Sequence, residues 1–325
     1  MPLLRLILML LVVAAQTASA DTAEVIDRHI LPRHAAFAAS TARLAAAARD
    51  SCAPARLIPL FHAAYDDWMG VQHIRTGPVE DEGRGLAIAY WPDPKGLGLR
   101  VQRALIDGDA GALGPAAFAR QSVAARGLTG LERLLFPATP WPADTCPLIR
   151  ATTADLARLA AELEDGWRSE FGPLLRHPGA AGNTRFLNPA EPRQMLFTQI
   201  VTGLDFVKDQ RLGRPLGSFD RPAPERAEAR ASGRSLRNVT LSLRALRGMV
   251  AALSGQAPRT QAALDRAIAL AEALPDPVLA GTATPQGWLK VQIVQQAVEA
   301  VRDTAVAELG PALGVSVGFN AMDGD

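Results

Sequence analysis

His62, Asp66, Met69 and His73 fall at i, i+4, i+7 and i+11, so an unbroken helix through them presents all four on one face. An imidazole and a carboxylate one turn apart can hold a divalent cation, with a second imidazole two turns on. The plainer alternative pairs His62 with Asp66 and leaves His73 as a hydrogen-bonded helix-end residue, because a ligand set needs donors converging from elsewhere. His29 and His34 are five apart, which turns them roughly 140° from each other on a helix and excludes a shared metal between those two alone. Beyond His73 comes a dense run of charge, with Arg75, Glu80, Asp81, Glu82 and Arg84 around the forced turn of Gly77-Pro78. A solvated surface loop and a binding role for Arg75, Glu80 and Arg84 are both open here, since binding residues favour loops held by a rigid scaffold.

A second candidate is Arg126-Gly127-Leu128-Thr129-Gly130-Leu131-Glu132. It resembles the GxHxxE signature of the imelysin family, in which His and Glu three apart on a helix share a metal. Here Glu132 is kept and Thr129 stands at the His position. A hydroxyl is a far poorer ligand than imidazole for a borderline transition metal. Trp68-Met69-Gly70-Val71, Gly77-Pro78 and Tyr90-Trp91-Pro92-Asp93 are similar to other family segments, as is the tail from Leu313 to Asp325. The resemblance implies two packed helical bundles, export, and a role linked to iron acquisition. A carboxylate buried in such a bundle needs a partner. Glu132 would join Asp66 or Glu80 on a hard cation such as Ca²⁺ through oxygens, or pair with Arg126, Arg84 or Arg75 with no metal at all. Ser232 to Asn238 is a small-polar cluster within a helical run and resembles a Ser-rich family segment, which makes Ser235 a further candidate.

The elements that must position these residues are helices. Leu156, Leu159, Leu163, Trp167, Phe171 and Leu174 form one three-four stripe, and Leu236, Val239, Leu243, Leu246, Val250 and Leu253 form another. Pro and Gly punctuation places helices near 22–50, 54–74, 97–107, 115–135, 151–176, 189–212, 224–253, 259–274 and 284–309. The only period-two run, Leu86 to Trp91, reads as a loop or short helix. The class is all-α, expected as one bundle over 21–150 and another over 151–325.

Arg5, the apolar run Leu6 to Ala15 and Ala18-Ser19-Ala20 form a secretory leader, so the mature chain is expected to start at Asp21 in the periplasm. No later segment is apolar enough for a transmembrane anchor. In an oxidising compartment the only two cysteines, Cys52 and Cys146, default to a disulfide. The formal charge is +1 and only Lys95, Lys208 and Lys290 are lysines, with no basic block interleaved with aromatics, so nucleic acid is not expected. His-Glu-x-x-His and Gly-x-Ser-x-Gly are absent. The expected function is therefore binding without catalysis, in a cleft between the bundles. The partner would be a small ligand, a divalent metal (Fe, Zn or Ca), or an envelope protein of an iron-uptake system. The competing readings are a metallopeptidase-like hydrolase built on His62, His73 and Glu132, and a protein-interaction module.

Overall fold

The chain, examined as a computed structural model, is described over residues 22–316. The expected leader (1–20) and the tail match beyond Ser316 lie outside the described residues. Helix α1 (22–50) runs through Thr22–Val25, a π turn Ile26–Ile30, and Leu31–Asp50. It is followed by α2 (Pro54–Met69), α3 (Leu97–Asp107) and α4 (Gly127–Leu135). Helix α5 (146–176) joins Cys146–Asp165, a π turn Gly166–Phe171, and Gly172–Arg176. Helix α6 (190–216) joins Ala190–Asp205, a π turn Phe206–Leu212, and Gly213–Leu216. Helices α7 (Ser235–Leu253), α8 (Pro258–Glu272) and α9 (Pro285–Leu313) complete the set. Among the described residues there is no strand; Arg84–Ile88, in the period-two run, is a short helix.

Local signals place many of these ends. Proline opens α2, α8 and α9, where its missing N–H costs nothing. The Thr284 hydroxyl caps α9 by accepting from the Gly287 N–H at 3.2 Å, and Gly314 closes it in the left-handed conformation.

Two apolar cores form. Phe37, Phe61, Trp68, Leu131 and Leu156 lie in the first, drawn from α1, α2, α4 and α5. Phe197, Leu204, Val239, Leu246 and Val298 lie in the second, drawn from α6, α7 and α9. The two cores share α1 and α5. Ile26 and Ile30 enter the second core and Phe37 and Leu44 the first; Leu156 and Leu163 enter the first and Trp167 and Leu175 the second. Both switches fall at a π turn. The extra residue rotates the following side chains about the axis, so one helix can feed two cores that face differently.

Cys52 and Cys146 are bonded, with Cα atoms 5.5 Å apart and a sequence separation of 94. The bond ties the end of α1 to the start of α5. Closing a loop of that length removes about 4–5 kcal/mol of unfolded-chain entropy in the chain-entropy model. No helix of the described residues is long and apolar enough to cross a membrane.

Candidate functional site: a polar layer and its flanking cavities

Helices α2, α4 and α7 meet where the cores abut, and a layer of polar side chains separates them. Glu132 is buried on α4, and its Oε1 accepts from the Ser232 backbone N–H at 2.9 Å and from the Ser232 hydroxyl at 2.7 Å. Burial pushes the Glu132 carboxyl up, and the two Ser232 hydrogen bonds pull it partly back. The partner is therefore a serine and not one of the expected arginines. Arg126 is spent on Asp155 in a buried pair at 2.8 Å. Arg84 bridges Glu162 at 3.2 Å, Asp81 at 3.0 Å and the Pro78 carbonyl at 2.9 Å. Arg75 donates its backbone N–H to Gln199 and lays its guanidinium over the Phe206 ring, 4.0 Å from the centroid.

The helix that carries Glu132 starts against a neighbouring backbone. Gly127 has φ +63°, and a Cβ there would sit 2.2 Å from the carbonyl oxygens of Ala87 and Ile88. A Cβ on Gly130 would lie 2.3 Å from the Ala125 oxygen. Both glycines of the 127–132 segment are thus demanded by close approach, independently of any ligand.

The stripe on α2 divides. Asp66 accepts from Arg234 at 2.5 Å and from both Arg237 nitrogens, Nε at 2.8 Å. Burial pushes its carboxyl up, but the hydrogen bonds and charges of Arg237 and Arg234 outweigh that and hold it below the usual range. Arg234 also lies 3.0 Å from His62 Nδ1. His73 does not join them, because α2 ends at Met69 and the chain turns at Gly70. The helical projection that puts His73 on the same face fails beyond that point. His73 instead meets His29, Nε2 to Nε2 at 3.0 Å. Arg33 donates through Nε to His29 Nδ1 at 3.2 Å, so neutral His29 carries its proton on Nε2 and gives it to His73. His73 Nδ1 then holds a proton with no acceptor among the described residues.

The floor of the layer is a pair that sequence reasoning missed. Arg211 donates to both oxygens of Glu228, at 2.6 and 3.3 Å, and to the Ser242 hydroxyl at 2.9 Å; Asn238 Nδ2 adds a bond to Glu228 at 2.9 Å. Arg211 and Glu228 are both buried. Around them several buried polar atoms have no partner: the Tyr65 hydroxyl, Thr129 Oγ1, Arg234 Nε, Ser235 Oγ and Asn238 Oδ1. Burial, together with the charges of Glu228 and Glu132, pushes the Tyr65 hydroxyl well above its ordinary pKa. These atoms give the layer hydrogen-bonding capacity beyond what its own protein contacts use. Thr129 and Ser235, both candidates from sequence, are among them.

Two cavities flank the layer. One, of 220 Å³, reaches Glu132 and is walled by Arg133, Phe136 and Trp141. The other, of 440 Å³, opens over Glu228, with Trp68, Gln72, Arg75, Trp91 and Phe206 on its walls. Glu80 stands at its edge and caps the 76–80 turn, accepting from the Thr76 hydroxyl at 3.0 Å and the Gly77 N–H at 2.7 Å. Of the sequence candidates, Arg75 and Glu80 line this cleft, while Arg84 and Arg126 are held in ion pairs.

The donor set does not fit a transition metal. Asp66 is saturated by two guanidiniums, one Glu132 oxygen is capped twice by Ser232, and His62 and His73 face different partners. Among the described residues no three His, Cys, Asp or Glu side chains form a group able to hold a metal ion.

A family model described as Imelysin matches residues 30–305. The chain is 28% identical over 277 residues to iron-regulated protein A of Synechococcus elongatus, covering 77% of this chain and 72% of that protein. An imelysin-like protein from Psychrobacter arcticum superposes with a TM-score of 0.73 at 20% identity, covering 93% of this chain and 98% of the other. A candidate iron-regulated protein A precursor from Parabacteroides distasonis gives 0.71 at 13% identity, with 89% and 94% covered. These two likenesses concern the fold.

Proposed function

The chain belongs to the imelysin family, and from that premise we propose that it is an exported, non-catalytic binding protein of iron acquisition, with its ligand in the cleft between the two cores. The observation that carries this reading is the 440 Å³ cleft itself, which has the size and the mixed aromatic and polar walls of a small-molecule site. Its carboxylates favour holding over turnover. Glu228 is engaged through both oxygens by Arg211 and again by Asn238, and Glu80 spends one oxygen on the Thr76 and Gly77 donors that hold its turn. The link to iron rests on the family and on the name of the Synechococcus relative. In this reading the region 21–150 supplies Trp68, Arg75, Glu80 and Trp91 to the cleft and the region 151–325 supplies Phe206 and Glu228, with the mature chain beginning at Asp21.

With Thr129 at the signature position, iron would reach this protein within a ligand or through a partner and not as an ion held by Glu132. Metal analysis of the chain from Asp21 onward, after dialysis against Fe²⁺, Zn²⁺ or Ca²⁺, tests this. The expected result is no stoichiometric metal that depends on Glu132. Near-stoichiometric metal lost in Glu132→Ala would sink it and restore a direct metal role.

A further inference from the structure

The charges around the cleft are not evenly satisfied. Both acids on its walls are occupied by protein donors, as described above. Arg211 is occupied too, by Glu228 and Ser242. Arg75 is different. Its guanidinium makes no hydrogen bond or ion pair among the described residues; its contact is the face of Phe206. Crowding by protein atoms and then the neighbouring charge of Arg211 lower its pKa to about 10, so it remains a cation at neutral pH. A second guanidinium, that of Arg214, lies 5.7 Å from the Trp91 ring centroid, again with no carboxylate partner among the described residues and with its Nε buried and unpaired. The cleft thus combines the Trp91 and Phe206 rings, set edge to face 6.2 Å apart, with the Arg75 guanidinium; Glu228, the acid whose charge acts on Arg75, is itself bonded to Arg211, and Arg214 stands beside Trp91 without lining the cleft.

We infer that the cleft selects a flat organic anion, an aromatic carboxylate or a similarly conjugated acid, whose charge is taken by Arg75 and whose ring lies against Trp91. This rests on the reading of the cleft as the ligand site. Guanidinium is suited to it, because a planar fork matches a carboxylate with two parallel hydrogen bonds and also stacks on aromatic faces. Arg75 is already held over Phe206 by that stacking, so little side-chain freedom is lost when an anion arrives. A cation would meet the charge of Arg75 while Glu228 is already bonded to Arg211, and a neutral ring would leave the Arg75 donors unpaired within the cleft.

The test is a matched panel added at up to about millimolar concentration, read by calorimetry and by quenching of tryptophan fluorescence. Its members are 2-naphthoate, 2-naphthamide, 2-naphthylmethylamine and cyclohexanecarboxylate. Three proteins are compared: the native chain, Arg75→Gln, and Ala89→Trp, which fills the cleft from its wall. The expected result is that 2-naphthoate binds best, weakens by about tenfold to a hundredfold in Arg75→Gln, and is lost in Ala89→Trp. If the amide or the amine binds as well as the carboxylate, or if Arg75→Gln changes nothing, the anion assignment is overturned. Should that binding still vanish in Ala89→Trp, the cleft stands as the ligand site. Binding that ignores Ala89→Trp overturns both. No binding by 2-naphthoate overturns the assignment alone, and the cleft is then judged by whether any other member is lost in Ala89→Trp.

Discussion

Arg211→Met should destabilise the folded protein by about 3–5 kcal/mol, a large share of the about 5–15 kcal/mol available to a typical domain. The reason is the carboxylate left behind. Glu228 would keep only the Asn238 amide at 2.9 Å in a buried setting, and an uncompensated buried charge costs more than the pair contributes when intact. Arg211 also donates to Ser242 and Met69, so α7 and α2 lose a shared anchor. Adding Glu228→Gln to the same chain removes the charge while keeping an acceptor for Asn238, and should recover most of the loss. Denaturant unfolding of the two single variants and the double variant gives the coupling directly. A loss below about 1 kcal/mol in Arg211→Met would show that Glu228 is solvated or protonated, and that the floor of the cleft is not a closed ion pair.

Acidification from pH 7 to pH 5 should remove about 4 kcal/mol of stability through His34 and His73 alone. Burial lowers His34 to about 4 and His73 to about 3, against 6.5 for an exposed imidazole. His29 is lowered in the same direction, by burial first and then by His73 and Arg33. Above pH 6.5 these rings are neutral in both states and contribute no pH dependence. Below it the unfolded chain takes up protons that the folded chain refuses, so stability falls until the folded pKa values are reached. Burial is the main reason for the refusal, and the hydrogen-bond chain from Arg33 through His29 to His73 adds to it, because a proton added to His73 Nε2 would place two donors face to face at 3.0 Å. Asp66 and Glu308, held low by arginine and threonine donors against their burial, lose stability only at lower pH. Glu132 and Asp67, raised chiefly by burial, act in the opposite sense, since their folded forms take up protons first on acidification. Unfolding midpoints at pH 7, 6 and 5 read the slope, and His73→Gln should flatten it. A flat profile in the native chain would mean that these histidines are protonated in the folded state.

The fold was open to reading because it rests on periodicity and punctuation. The stripes from Leu156 to Leu174 and from Leu236 to Leu253 became faces of α5 and α7. Three helices came out shorter than expected for local reasons, among them α2, which stops at Met69 and not near residue 74. The run 115–135 is interrupted by turns before Gly127, whose positive φ starts α4 afresh. The run 224–253 begins only at Ser235, after Ala229 and Gly233 adopt positive φ. That irregular stretch carries Glu228 and Ser232, the partners of Arg211 and Glu132, and no periodic signal points to it.

The site was legible in part. Glu132 and the small-polar residues of 232–238 stood out through their resemblance to the imelysin signature and its Ser-rich segment, and a carboxylate buried in a bundle must find a partner. The partners themselves are set by tertiary contact. Glu132 meets Ser232 across 100 positions and His29 meets His73 across 44. The stripe His62, Asp66, Met69, His73 assumed a helix that continues, and a C-terminus at Met69 is enough to send His73 to another neighbour. Asn238, within the small-polar cluster, is buried with its amide on Glu228.

The most direct test of the central claim is native mass spectrometry of the mature protein after exposure to a host-cell extract, beside Ala89→Trp treated identically. The account predicts a discrete bound mass on the native chain, absent from Ala89→Trp, and recovered chemically unchanged after prolonged incubation with fresh protein. A bound mass that persists in Ala89→Trp would place the ligand elsewhere, and recovery of a converted product would contradict binding without catalysis.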